Sequence, residues 1–329
     1  TLSRAGLERA GALERAGGLV VAGKPSGSMR RLVGLGGLVS LGGLVGLAAH
    51  RAAITEYPWS RPGATASTIL DDPQWPADFP ITSEHLKRLD ETVDTSFYAQ
   101  PRMVHHIDDE ARRALRAHHR AMLPRGGAVL DLMSSWTSHL AAGAGAHRED
   151  GYFARVAVLG MNRAELQANP AAHDLHVQDL NREPRLAMFA DESFDAVICS
   201  VSVDYLSQPM AVLAEIRRVL KPGGLLLFTW SNRMFPTKAI AAWRLASEPE
   251  RLWICGAYVH YTGGFTPPES TDLSPRHTHG RTDPLYAVHA RKLLPTTTTT
   301  TSASTTSTTR TTPAMPPASV PAAPRRDEL

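Results

Sequence analysis

Between residues 128 and 230 the chain alternates short apolar runs with segments of helical period. Ala128–Leu132, Val156–Leu159, Leu175–Val177, Phe194–Cys199 and Leu225–Trp230 are strand-length and rich in aliphatic residues, as expected of strands buried on both faces. Ala164–Ala168 suits a helix, and Met210–Leu220 suits an amphipathic one closed by Lys221-Pro-Gly-Gly224. Upstream, Val104, Ile107, Ala111, Ala114 and Leu115 recur at spacings of three and four. They predict a helical segment over 83–123, ended by Pro124-Arg-Gly-Gly127. A helix-compatible, Ala-rich stretch follows the first strand. Strands alternating with helices imply a parallel sheet covered on both faces. Ligands of such sheets sit beyond the carboxyl ends of the strands, where strand order reverses. The first strand ends near Asp131, which is the natural place.

Composition divides the 329 residues into a targeting segment (1–52), a Pro-rich connector with a helical lead-in (53–99), a central domain (100–294) and a Thr/Pro-rich tail (295–329). The middle is long enough to bury one sizeable core, whereas the tail cannot bury one and is expected to be disordered. A formal charge of +3, without a basic stripe interleaved with aromatics, gives no support to nucleic-acid binding. The two cysteines, Cys199 and Cys255, lack metal-ligand spacing and are expected to be buried free thiols.

The two ends carry conflicting addresses. Arg4, Arg9, Arg15, Lys24, Arg30 and Arg31 stand against only Glu8 and Glu14 in the first 31 residues, the composition of a transit peptide. Arg30-Arg31 precede an uncharged run, Leu32–Ala49, which resembles a twin-arginine export signal. Together they suggest a chloroplast location, reaching the thylakoid lumen. The alternative is a membrane-spanning anchor, since 18 residues just suffice. The six glycines in the run each cost roughly 1 kcal/mol of helix propensity, which favours a cleaved signal with at most transient membrane association through 32–49. The terminal Arg326-Asp-Glu-Leu329 resembles a retention signal of the endoplasmic reticulum lumen.

The loop after the first strand, Asp131-Leu-Met-Ser-Ser-Trp-Thr-Ser-His139, has hydroxyls and bulky residues where nucleotide-binding domains usually carry Gly-x-Gly. Around it stand Gln178-Asp179, Phe194-Asp-Ala-Val-Ile-Cys199 and Glu215-Ile-Arg-Arg-Val-Leu-Lys-Pro-Gly-Gly-Leu-Leu-Leu-Phe228. This set resembles class I S-adenosylmethionine-dependent methyltransferases, nearest to the type-11 group, over about residues 100–294. The resemblance implies a Rossmann-like α/β fold: a doubly wound, seven-stranded sheet, mostly parallel with one antiparallel strand at 283–291, plus an N-terminal helical segment. It implies S-adenosyl-L-methionine as cofactor and a small-molecule acceptor. The oligomeric state is left open.

Residue by residue, the resemblance places Asp131 against the cofactor's ammonium group, where a charge-assisted hydrogen bond fits. The alternative is an aspartate bonded to its own loop. Ser134 and Ser135 would cap the next helix and offer its free amides to the carboxylate. The acid expected for the ribose is replaced by Gly160, leaving Asn162 as the nearest polar candidate. Asp179, with Leu180 beside it, matches the adenine site. Ser200 through Tyr205 would line the transferred methyl, with Asp204, Tyr205 and His139 as candidate bases. Asn232 and Arg233 could meet an anionic acceptor. The pairs His105-His106 and His118-His119 diverge on a helix, and His277-x-His279 lacks companion ligands, so no metal site is expected. A serine hydrolase lacks its Gly-x-Ser-x-Gly. The readings to be weighed are a small-molecule methyltransferase, a non-catalytic domain of that fold, and, more remotely, a dehydrogenase.

Overall fold

The computed structural model describes residues 63–140, 152–275 and 282–295. Its seven strands are β1 (Ala128–Leu132), β2 (Arg155–Gly160), β3 (Asp174–Val177), β4 (Phe194–Ser200), β5 (Leu220–Trp230), β6 (Glu269–Asp272) and β7 (Tyr286–Arg291). They form one sheet in the order β3-β2-β1-β4-β5-β7-β6. β1 to β5 are mutually parallel, and β7 runs antiparallel to both its neighbours. The doubly wound, mostly parallel sheet and its single reversed strand are those expected from the chain's pattern and resemblance. Strand order reverses between β1 and β4, so a crevice must open there.

Alternation along the strands sends side chains to two cores. Leu130, Leu132, Ala157, Leu159, Val197, Cys199, Leu226 and Phe228 face one side, while Val129, Val156, Val158, Ala196, Ile198, Leu225 and Leu227 face the other. Lys221-Pro-Gly-Gly224 does not close a helix. α5 (Pro209–Val219) ends one residue earlier, and the four residues form a bulged entry to β5. Gly223 there has a φ of 77°, a conformation open mainly to glycine.

The expected helical segment over 83–123 is broken into three pieces: α1 (Ser83–Leu86), α2 (Asp94–Phe97) and α3 (Asp109–Met122). Pro101 interrupts it, and Asp108 begins α3 afresh by accepting from Ala111 N at 2.8 Å, an N-cap that fixes where the helix starts. Val104 therefore lies outside any helix and is exposed, whereas Ala111 and Leu115 are buried. Between the strands lie α4 (Arg163–Ala168), α6 (Ala241–Leu245) and α7 (Glu248–Thr262). α7 was not foreseen. It opens with a Ser247/Glu250 capping box and buries Leu252, Trp253, Ile254, Cys255, Ala257, Tyr258 and Val259. A helix apolar on all sides needs cover on all sides. The segment 63–81 supplies it, with Ile69, Leu70 and Ile81 in the same core and Trp75 stacked 4.8 Å from His260. The sequence set this segment apart as a connector; here it packs against α7. Both cysteines are free and buried, as expected.

Among the described residues no helix is long and apolar enough to cross a membrane, and no group of three metal-ligating side chains occurs. The 32–49 run, His277, His279 and the terminal Arg326–Leu329 lie outside the described residues.

Candidate functional site

A cleft of about 360 Å³ lies where strand order reverses. Its floor comes from the loops after β1, β2, β3 and β4 (Ser134, Ser135, Gly160, Asp179, Leu180 and Ser202), and Tyr205 and Phe235 stand at one end. The N-terminal segment adds Asp94, Tyr98, Arg102 and His106 to the lining, with Arg102 and His106 beside Phe235. A smaller chamber of about 70 Å³ adjoins it, sharing Ser134, Ser135 and Ser202 and adding Asp131, His139 and Ser200. Of the sequence candidates, Ser134, Ser135, Asp179, Leu180 and Tyr205 therefore meet in the main cleft. Asp131, His139 and Ser200 meet in the side chamber, and Asn162 and Asp204 line neither.

The β1 loop explains much of this. No helix follows Ser134 and Ser135 up to Leu140, so neither serine caps one. Ser134 Oγ instead donates to Asp131 at 2.5 Å, and Ser135 Oγ donates to Glu165 at 2.7 Å. Asp131 is 2 % exposed; burial, opposed by Ser134 and Ser138, pushes its carboxyl up to about 7. It bonds its own loop. Met133 adopts φ 57° and Val201, after β4, φ 56°. The backbone thus enters the left-handed region at the cleft rim without glycine, at a strain of order 1–3 kcal/mol for each.

At the end of β2 the backbone leaves no room for an acid. A Cβ on Gly160 would lie 2.1 Å from the Ser134 carbonyl oxygen, whose loop is held by Ser134 N donating to Leu159 O at 2.7 Å. Asn162 cannot stand in for it. Its carbonyl oxygen caps α4, accepting from Ala164 N and Glu165 N, and its amide donates to Tyr98 O and Ala99 O at 2.9 and 3.1 Å. Asn162 ties the N-terminal wall down rather than facing the cleft. A buried acid that the sequence did not single out does face it: Glu165, on the first turn of α4, accepts from Ser135 Oγ and from Arg102 N at 2.6 Å. In the sequence Glu165 reads as one more polar position of a short helix. Only the fold turns it inward.

The three candidate bases do not converge. Tyr205 lines the cleft, but burial and Asp204 hold its phenol well above the usual value, and its oxygen accepts from Phe235 N at 2.8 Å. His139 is kept neutral by burial, down to about 3, with His119 and His105 adding to the effect. Its Nδ1 and Ser200 Oγ are closed to solvent without a partner. Asp204 is 2 % exposed, and burial pushes it up to about 7. It favours folding fully below its unfolded value near 4, and that contribution is lost as pH rises toward 7. Asp204→Asn removes this loss. The change in unfolding free energy from pH 4.5 to 7.5, measured by urea denaturation, is expected to become more favourable than in the parent by on the order of 3 kcal/mol. An unchanged pH slope would refute the buried, protonated state. Asn232 is exposed and does not line the cleft, and Arg233 pairs with buried Asp283 at 2.8 Å.

Fold and cleft together define a doubly wound α/β domain with a ligand-sized cleft where its strand order reverses. The chain matches, over residues 140–228, the family model described as a methyltransferase domain. It is similar to the thiol S-methyltransferase TMT1B of Rattus norvegicus, 40 % identical over 65 residues, or 20 % of this chain and 26 % of that protein. It also resembles the phthiotriol/phenolphthiotriol dimycocerosates methyltransferase 1 of Mycobacterium ulcerans, 36 % identical over 96 residues, or 28 % and 34 % of the two chains. The matched region thus spans about a quarter to a third of these relatives. Among solved structures, the [4+2]-cyclase SpnF aligns over 61 % of this chain and 91 % of its own, at 19 % identity and a TM-score of 0.40.

Proposed function

We propose that the chain is an S-adenosylmethionine-dependent methyltransferase acting on a small molecule. The observation that carries this reading is the cleft shared by Ser134, Ser135, Asp179, Leu180 and Tyr205 at the carboxyl edge of a methyltransferase domain. The residues fit such a cofactor. Asp179 is half-buried beside buried Leu180, a carboxylate and an apolar floor suited to an aminopurine. Gln178 and Glu165 also line the cleft and are assigned to the ribose hydroxyls in place of the acid that Gly160 excludes. S-adenosylmethionine would supply an electrophilic methyl group, displaced in line by a lone pair of the acceptor. The protein's part is alignment and exclusion of water. Tyr98, Tyr205 and Phe235 wall the end where an acceptor would enter. With Tyr205 protonated and Asp204 off the cleft, neither serves as the acceptor's base.

Asp131 bonded to its own loop and the closure over Gly160 favour a second reading, a non-catalytic domain of the same fold. Calorimetric titration of the full chain with S-adenosylmethionine and S-adenosylhomocysteine separates the two. Micromolar binding is expected, weakened about tenfold in Asp179→Ala with melting unchanged, the loss of one charged hydrogen bond. No binding at millimolar cofactor would sink the enzyme reading.

A further inference from the structure

The acceptor end of the cleft has, in Arg102, a guanidinium without an ion-pair partner among the described residues, set among aromatic rings. Arg102 Cζ lies 4.7 Å from the Phe97 ring centroid, 5.4 Å from Phe235 and 5.8 Å from Tyr98. Its Nη2 donates to Phe97 O at 2.9 Å, and its Nη1 is closed to solvent without a hydrogen-bond partner. Among the described residues no carboxylate forms an ion pair with it. None of the neighbouring acids pairs with its guanidinium. Asp94 pairs with Arg88 at 2.7 Å and Lys238 at 3.1 Å. Glu165 accepts from Ser135 Oγ and from the Arg102 backbone, and Asp179 from Asn181 N. Buried Asp204 lies behind Tyr205 and off the cleft wall. Arg233, the other cation on the wall, is exposed and joined to Asp283.

A guanidinium held by ring faces and one carbonyl projects its field into a cleft whose walls are of low dielectric. The rings beside it, with Phe235 6.0 Å from Tyr205 and 5.3 Å from His106, suit a flat apolar body. We infer that Arg102 selects the acceptor, and that the acceptor is an aromatic monoanion. This deepens the methyltransferase reading and rests on it.

Three probes of one shape and different charge test it: benzoate, benzamide and benzylamine. Each is titrated into the full chain already saturated with S-adenosylhomocysteine. Benzoate is expected to bind at least about tenfold more tightly than benzamide, with benzylamine weakest, a preference that fades with added salt. Arg102→Gln should erase the benzoate advantage while leaving affinity for S-adenosylhomocysteine within about threefold, and Arg102→Lys should keep part of it. Benzamide or benzylamine binding as well as benzoate, benzoate preference surviving in Arg102→Gln, or no probe binding at all would each overturn the inference. If Arg102→Gln does not fold, the charge ranking in the parent chain decides alone. Failure of S-adenosylhomocysteine to bind, measured first, would instead count against the methyltransferase reading.

Discussion

Gly160→Ala is expected to lower the unfolding free energy by about 3 kcal/mol or more, although it adds a single methyl group. The added Cβ would meet the Ser134 carbonyl oxygen at 2.1 Å and Leu166 Cδ2 at 3.1 Å. A leucine methyl can turn aside; a backbone carbonyl can do so only if its loop moves. That loop is fastened from several directions. Ser134 N donates to Leu159 O, Ser134 Oγ to Asp131, and the Asn169 amide to Ser135 O at 3.0 Å and to Ser138 Oγ at 2.8 Å. Retreat would break bonds to buried groups, each of order 1 kcal/mol or more. Urea unfolding of the purified variant reads the effect directly. A loss below about 1 kcal/mol would show that the β1 loop yields easily.

The same geometry makes an unusual prediction for Gly160→Asp, which would restore the acid the family resemblance leads one to expect. It should gain no cofactor affinity, because the side chain must begin inside the Ser134 carbonyl. The missing acid and the missing glycines are thus one feature. With bulky Met133 and hydroxylated Ser134 in place of a glycine turn, the β1 loop lies across the end of β2, and only glycine at 160 lets it pass.

That coupling shows which parts of the molecule could be read from the chain. Strands β1 to β5 follow from local runs of aliphatic residues, whose burial depends little on distant partners; the α5–β5 junction does not, because Lys221-Pro-Gly-Gly224 joins the strand instead of closing the helix. The reversed strand β7 followed from resemblance. β6 was missed because Glu269-Ser-Thr-Asp272 is polar and becomes a strand only by pairing with β7 at the sheet edge. α7 was missed because its apolar residues have no single face until 63–81 covers the outer one. Of the cleft's lining, Asp179, Leu180 and Tyr205 were legible because they follow strand ends, where position in sequence nearly fixes position in space. Glu165 and Arg102 were not, because their inward placement depends on contacts between segments some 60 residues apart, such as Arg102 N to Glu165. Asn162 was assigned to the ribose for its chemistry, but helix capping had already claimed it.

Asp94→Ala is expected to cost 3–5 kcal/mol, the usual consequence of leaving buried charge without its partner. Asp94 is 5 % exposed and Lys238 fully buried. The carboxylate accepts from Arg88 at 2.7 and 2.8 Å and from the Asn181 amide at 3.0 Å, and it faces Lys238 Nζ at 3.1 Å. Burial alone would raise its pKa, but Asn181, Arg88 and Lys238 together hold it below the usual carboxylate range. Its contribution is therefore present at neutral pH and lost as pH falls through that lowered value. Removing it takes one of two carboxylates from the buried Lys238 ammonium, which keeps Asp90, Thr92 and their carbonyls. Removing both charges in Asp94→Ala/Lys238→Met should therefore recover part of the loss, a coupling that a double-mutant cycle in urea measures. The cost should also be local. α2 begins at Asp94, and Tyr98 and Arg102 follow it along the cleft wall, so hydrogen exchange over 88–106 should quicken more than exchange in β1 or β4. Additive single-site losses, or uniform exchange throughout the chain, would mean that this ion cluster stabilises the domain without fastening the wall of its cleft.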